Sequence, residues 1–198
     1  AKERMAQVVA LASDDLELLD RADRLRQRLA ATTPAAPSRG PAPGTELLGA
    51  APEAAAAFAK AEVQLLAYYR RPLAPRLEGL RRMLRGNDAA LESLVRSYRA
   101  AAAKDPVAAV AANFRIAAAY HDSALAMFEV PPELEPRVAA SLRRSLKRSA
   151  LSYLVRARDG YRRSIEIADA LDRTASVNRW RHAAQSGLAG VDDLLRRQ

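Results

Sequence analysis

Proline decides where this chain can be helical. Its 11 prolines fall in the run TTPAAPSRGPAPGT, at Pro52, in RPLAP, at Asp105-Pro106, and in VPPELEP. A proline inside a helix removes one donor and clashes with the preceding turn, at about 3 kcal/mol or more, so each cluster bounds a helix. Between the breaks Ala, Leu, Arg and Glu dominate, all good helix formers, while Val, Ile, Thr, Phe and Tyr are scarce. No stretch alternates apolar and polar residues between turn signals as a strand would. The expected fold class is therefore all-α.

The breaks divide the 198 residues into three parts. Residues 1–31 read as a helical arm, with Val8, Leu11, Leu18, Ala22, Leu25 and Leu29 at heptad a and d spacing and Asp15 interrupting one a position. Residues 32–45 form a Pro/Gly-rich linker that transmits no helical register. Residues 46–198 form a helical body. In it the sequence predicts a helix over 51–71 with Pro52 in its first turn, where proline is tolerated. A short amphipathic stretch follows at Leu77, Leu80, Met83 and Leu84 and stops at Gly86-Asn87. Further helices are predicted over 88–104, 107–128, 136–171 and 174–196.

The body helices carry an irregular repeat. Ala61, Leu65-Leu66 and Tyr69 share their spacing with Ala112, Ile116-Ala117 and Tyr120; Trp180, Ala183-Ala184 and Gly187 fall on matching positions. Leu94, Tyr98, Ala101 and Pro106 form a second pattern, echoed by Ala157, Tyr161 and Ser164. These patterns resemble helices A and B of a tetratricopeptide repeat, in which small residues let paired helices approach and large ones fill the space around them. The intervals from Leu65 to Ile116 and from Ile116 to Ala183 exceed the ~34 residues of the standard unit. Insertions at 72–87 and 129–149 are the expected cause.

Three runs carry a narrower resemblance: NFRIAAAYHDSALAMFEVPPEL (113–134), YRRSIEIADAL (161–171) and VNRW (177–180). They resemble periplasmic tetratricopeptide proteins of myxobacteria and related deltaproteobacteria, some of which belong to the gliding-motility machinery. Ala117 stands where that family usually has Gly, and His121 where it usually has an acidic residue. The resemblance implies a periplasmic scaffold for protein–protein interaction within an envelope-spanning complex. It implies a signal peptide or lipid anchor removed upstream, because AKERMAQVVA has no signal-peptide core. No run of about 18 apolar residues is present to span a membrane.

Chemistry-bearing motifs are absent from the sequence. With Cys 0, thiolate nucleophiles, disulfides and thiolate metal sites are excluded. His121 and His182 lie on separate helices and read as polar rim residues; Asp14-Asp15 and Asp192-Asp193 are neighbours on solvated faces. No metalloprotease, nucleophile-elbow or phosphate-loop motif occurs. No enzyme activity, cofactor or metal site is expected.

Net charge is +9, carried by 28 arginines and four lysines against 23 acidic residues. Residues 70–85 and 137–163 are the basic stretches, and Arg144, Lys147, Arg148, Arg158 and Arg162 would form a partly continuous stripe on one helix. Such charge suits an acidic protein partner, with a basic nucleic-acid-binding protein as the alternative, while the heptads of 1–31 allow a structural oligomerisation module. If the A helices line a concave groove, Arg70, Phe114, His121, Arg181 and Gln185 face it. They would then dock an apolar segment carrying acidic groups, because a guanidinium binds a carboxylate bidentately.

Overall fold

The computed structural model describes residues 40–42, 45, 47–70, 77–128 and 136–197. The chain divides into two units, Ala1–Ala36 and Pro37–Gln198, and all described residues belong to the second. The predicted arm (1–31) and the first part of the linker lie outside the described residues. Among the described residues there is no strand, and no helix is long and apolar enough to cross a membrane.

Five helices follow one another: α1 (Pro52–Tyr69), α2 (Leu77–Ala102), α3 (Pro106–Phe128), α4 (Pro136–Asp169) and α5 (Ala175–Arg196). Three of them start on a proline, whose fixed φ suits a first turn and whose missing N–H leaves no donor unpaired there. Asp105 caps α3: its Oδ1 accepts from the backbone N–H groups of Val107 (2.8 Å) and Ala108 (3.0 Å). Its Oδ2 accepts from the Ala51 N–H at 3.2 Å, tying the start of α1 to the start of α3. Thr174 caps α5 through the Val177 N–H.

One expected break is missing. α2 runs without interruption through Gly86-Asn87, so 77–87 is the first part of a long helix and no stop. A glycine in a helix interior costs only about 1 kcal/mol against alanine, which the tertiary contacts of Leu91, Leu94, Val95 and Tyr98 outweigh. The long helix expected over 136–171 is present as α4, of 34 residues, so 136–149 is its opening. The long repeat interval thus comes in large part from lengthened even-numbered helices.

α3 sits at the centre and packs against all four other helices. Its sequence dictates this. From Ala108 to Met127 apolar or small residues occupy every side of the helix, and an all-round apolar helix is stable only when enclosed. α2 and α4 are amphipathic and bury one stripe each; on α4 it runs Leu146, Ala150, Leu154, Ala157, Tyr161, Ser164 and Ala168. α1 and α5 also pack on α3, whereas α2 and α4 flank α3 and, among the described residues, meet through side chains without close backbone approach.

Small residues set the helix spacing. A Cβ on Gly160 of α4 would lie 3.0 Å from the Ala117 Cβ on α3. On α5 a Cβ at Gly187 would meet the Tyr161 ring at 2.4 Å, so only glycine lets that ring lie against the helix. Ser164 Oγ donates to the Val110 carbonyl at 2.8 Å, satisfying a hydroxyl buried between α3 and α4. Trp180 is fully buried, with its ring 5.9 Å from that of Phe58 on α1 and 5.5 Å from that of Phe114 on α3, centroid to centroid.

Candidate functional site

The faces of α1, α3 and α5 that meet one another are filled by the chain itself. Phe58, Phe114 and Trp180 pack together there, and beside them lies a buried ion pair. Arg115 donates from Nε to Glu62 Oε1 (2.8 Å) and from Nη2 to Glu62 Oε2 (2.9 Å). The same Nη2 donates to the Pro41 carbonyl at 2.7 Å, and the guanidinium lies 5.0 Å from the Trp180 ring centroid. Tyr98 donates its hydroxyl to Glu62 Oε1 at 2.6 Å. Burial, and then the adjacent carboxylate, push the Tyr98 phenol well above its ordinary range. Gly40, at φ +62, approaches the Phe114 ring so closely that a Cβ would stand 2.5 Å from it.

The five residues expected to face a groove do not share a surface. Phe114 and His121 are each 1% exposed, so neither offers a partner anything to touch. Phe114 lies beneath Gly40 and against Trp180 and Tyr161; His121 packs edge-on to Tyr161, with Gly190 of α5 alongside. The rim reading of His121 is overturned for the same reason, and burial lowers its pKa to about 4. Arg181 spends its charge on Asp169, at 2.6 Å, across the turn between α4 and α5. Arg70, the C-cap of α1, and Gln185 of α5 are exposed.

An open trough is found on the other side of α3. Because α2 and α4 flank α3 without close backbone approach to each other among the described residues, the surface of α3 between them forms the floor of a depression of about 590 Å³. Asn113, Ile116 and Tyr120, at i, i+3 and i+7, make up that floor. Arg96 and Arg99 stand on the α2 rim beside Glu92; Arg156 and Arg163 stand on the α4 rim beside Asp159. Arg156 lies 5.5 Å from the Tyr120 ring centroid and 6.0 Å from that of Tyr153, held over two aromatic faces. Arg163 reaches Glu166 at 3.3 Å along its own helix. Arg96, Arg99 and Arg156 have no ion-pair partner among the described residues. Beyond the trough, Tyr153 donates its hydroxyl to Asp88 and bridges α4 to α2.

The ionisable side chains lining the trough are Arg96, Arg99, Arg156 and Arg163, the carboxylates of Glu92 and Asp159 on opposite rims, and the Tyr120 phenol on the floor. Among the described residues no group of three or more His, Cys, Asp or Glu side chains converges to hold a metal ion. Sequence reasoning placed Arg156 and Arg163 within a basic stretch but passed over Arg96 and Arg99. The signal was their i, i+3 spacing on the polar side of a helix whose apolar stripe was already identified. The basic stripe itself is on the surface: Arg144, Lys147, Arg148 and Arg162 are exposed and Arg158 is half-buried. No family model, no curated protein and no solved structure matches this chain.

Proposed function

We propose that the chain is a non-catalytic scaffold for protein–protein interaction, built from tetratricopeptide-like helical hairpins. One observation carries this: the repeat-pattern residues interlock. Ala61, Leu65, Ala112, Ile116, Ala117, Tyr120, Trp180, Ala183 and Ala184 are buried on α1, α3 and α5, as are Leu94, Tyr98 and Ala101 of α2 and Ala157, Tyr161 and Ser164 of α4. Leu66 and Tyr69 at the end of α1, at 40% and 44% exposed, and Pro106 at the start of α3, also exposed, are the exceptions. Hairpins of this kind bury their own faces and leave extended side-chain surfaces for partners, with no chemistry required of them. The resemblance in 113–134, 161–171 and 177–180 supports a periplasmic setting within an envelope-spanning assembly.

Spheroplast fractionation of the native host, followed by crosslinking and identification of what is captured, tests both parts. Release with the periplasmic contents, and specific capture of envelope proteins, is the expected result. Recovery in the cytoplasmic fraction bound to nucleic acid defeats the proposal.

A further inference from the structure

The trough on α3 has features that go beyond a generic basic surface. Its two rims face each other with the same sign, Arg96 and Arg99 on α2 and Arg156 and Arg163 on α4. Like charges converging on one depression repel, and an anion lying between them removes that penalty. The arginines are not all loose chains: the Arg156 guanidinium is positioned by the Tyr120 and Tyr153 rings, and its Nη1 reaches the Tyr120 hydroxyl at 3.5 Å. A guanidinium already positioned by its neighbours offers its planar fork to a carboxylate with little further loss of side-chain entropy.

The remaining residues select among anions. Asn113 donates its side-chain amide to the Ala109 carbonyl at 2.7 Å, which leaves the side-chain oxygen as an acceptor for a backbone N–H. Ile116, 9% exposed at the bottom beside Val95, adds a small apolar contact for an aliphatic side chain. Glu92 and Asp159 on the rims oppose a ligand with a negative charge at every unit, as a nucleic-acid backbone has. They do not oppose a peptide whose acidic residues are spaced among neutral ones. The volume of about 590 Å³ lies within the range of ordinary ligand sites and admits a short length of extended chain.

We infer that the trough between α2 and α4 is the docking site for an extended acidic peptide segment of a partner protein, its carboxylates held by Arg96, Arg99 and Arg156. This deepens the scaffold proposal and rests on it for the occupant being a protein. It moves the docking surface away from the faces of α1, α3 and α5, which are filled.

Fluorescence anisotropy with the whole chain tests it. The probe is a short labelled peptide in which Glu and Asp are spaced among Leu and Gly; its Gln/Asn counterpart and an oligothymidylate of equal charge are the comparisons. Saturable, salt-sensitive binding of the acidic peptide is expected, with affinity falling roughly tenfold or more in the double variant Arg96→Gln/Arg156→Gln. The double variant Arg143→Gln/Arg144→Gln, on exposed positions of α4 outside the trough, should change affinity less than about twofold. Circular dichroism melts confirm that both variants fold. Equal losses in the two variants would show diffuse charge attraction and overturn the assignment, as would absence of acidic-peptide binding. Equal or tighter binding of the oligothymidylate, lost in the Arg96/Arg156 variant, would assign the trough to nucleic acid and overturn it too. Crosslinked partners retained by that variant would overturn the trough as docking site while leaving the scaffold proposal standing.

Discussion

Replacing Glu62 by Gln tests the least expected feature of the core. Both side chains of the Arg115–Glu62 pair are 3% exposed, and the pair is bidentate, with Tyr98 sharing the same carboxylate. Glu62→Gln keeps the shape but removes the charge, leaving a guanidinium enclosed by Trp180, Phe114 and the Pro41 carbonyl. Breaking a buried pair by removing one partner costs ~3–5 kcal/mol, because the surviving charge keeps its desolvation cost and loses the Coulombic attraction that offset it. With a urea slope of ~2 kcal/mol per molar, the midpoint should fall by about 2 M. That is a large share of the ~5–15 kcal/mol that holds a domain together. Urea titration followed by far-ultraviolet circular dichroism reads it directly. The triple variant Glu62→Leu, Arg115→Met, Tyr98→Phe removes charge, counter-charge and phenol together, and should return to within ~1 kcal/mol of the parent. A single variant that shifts by less than about 0.5 M, or a triple variant as damaged as the single, would refute the account.

Four further outcomes follow from the packing. His121 is buried and neutral with a pKa lowered to about 4, whereas in the unfolded chain it titrates near 6.5. Below 6.5 the unfolded chain binds the extra proton, so stability is lost as pH falls from 6.5 towards 4, by up to ~3 kcal/mol; His121→Phe should lack that part of the pH dependence of the urea midpoint, and an unchanged slope counts against it. Gly187→Ala drives a Cβ into the Tyr161 ring and should destabilise by ~1–3 kcal/mol, despite alanine's better helix propensity. Gly86→Ala meets nothing within 4 Å and should stabilise by ~0.5–1 kcal/mol, so thermal melts of the two variants must shift in opposite directions. A chain beginning at residue 45 loses the Pro41 carbonyl from Arg115 and the Gly40 cover from Phe114, and should be less stable than one beginning at residue 37 by ~1–3 kcal/mol; equal urea midpoints would refute this.

The sequence by itself determined the helices of the described body and most of their ends. Proline and capping act within a turn, so Pro52, Asp105-Pro106, Pro136 and Thr174 could be read without knowing what lay opposite. The small and aromatic positions on alternate helices were legible too, because burial stripes repeat at helical spacing. Other features depended on residues far apart in the chain. Glu62 and Arg115 are separated by 53 positions, and neither carries a local sign that it will meet the other. Gly86 has the residue type of a stop, and whether it stops a helix depends on whether the next turns find a surface to bury against. Phe114 and His121 fit a groove by spacing alone; they are enclosed because Trp180, Gly40 and Gly190 come to lie on them. The trough likewise exists because α2 and α4 both pack on α3 with their described backbones held apart, and that spacing is fixed by side chains from three helices together. Local preference chose the elements, and the long-range fit of small against large residues decided which faces stay open.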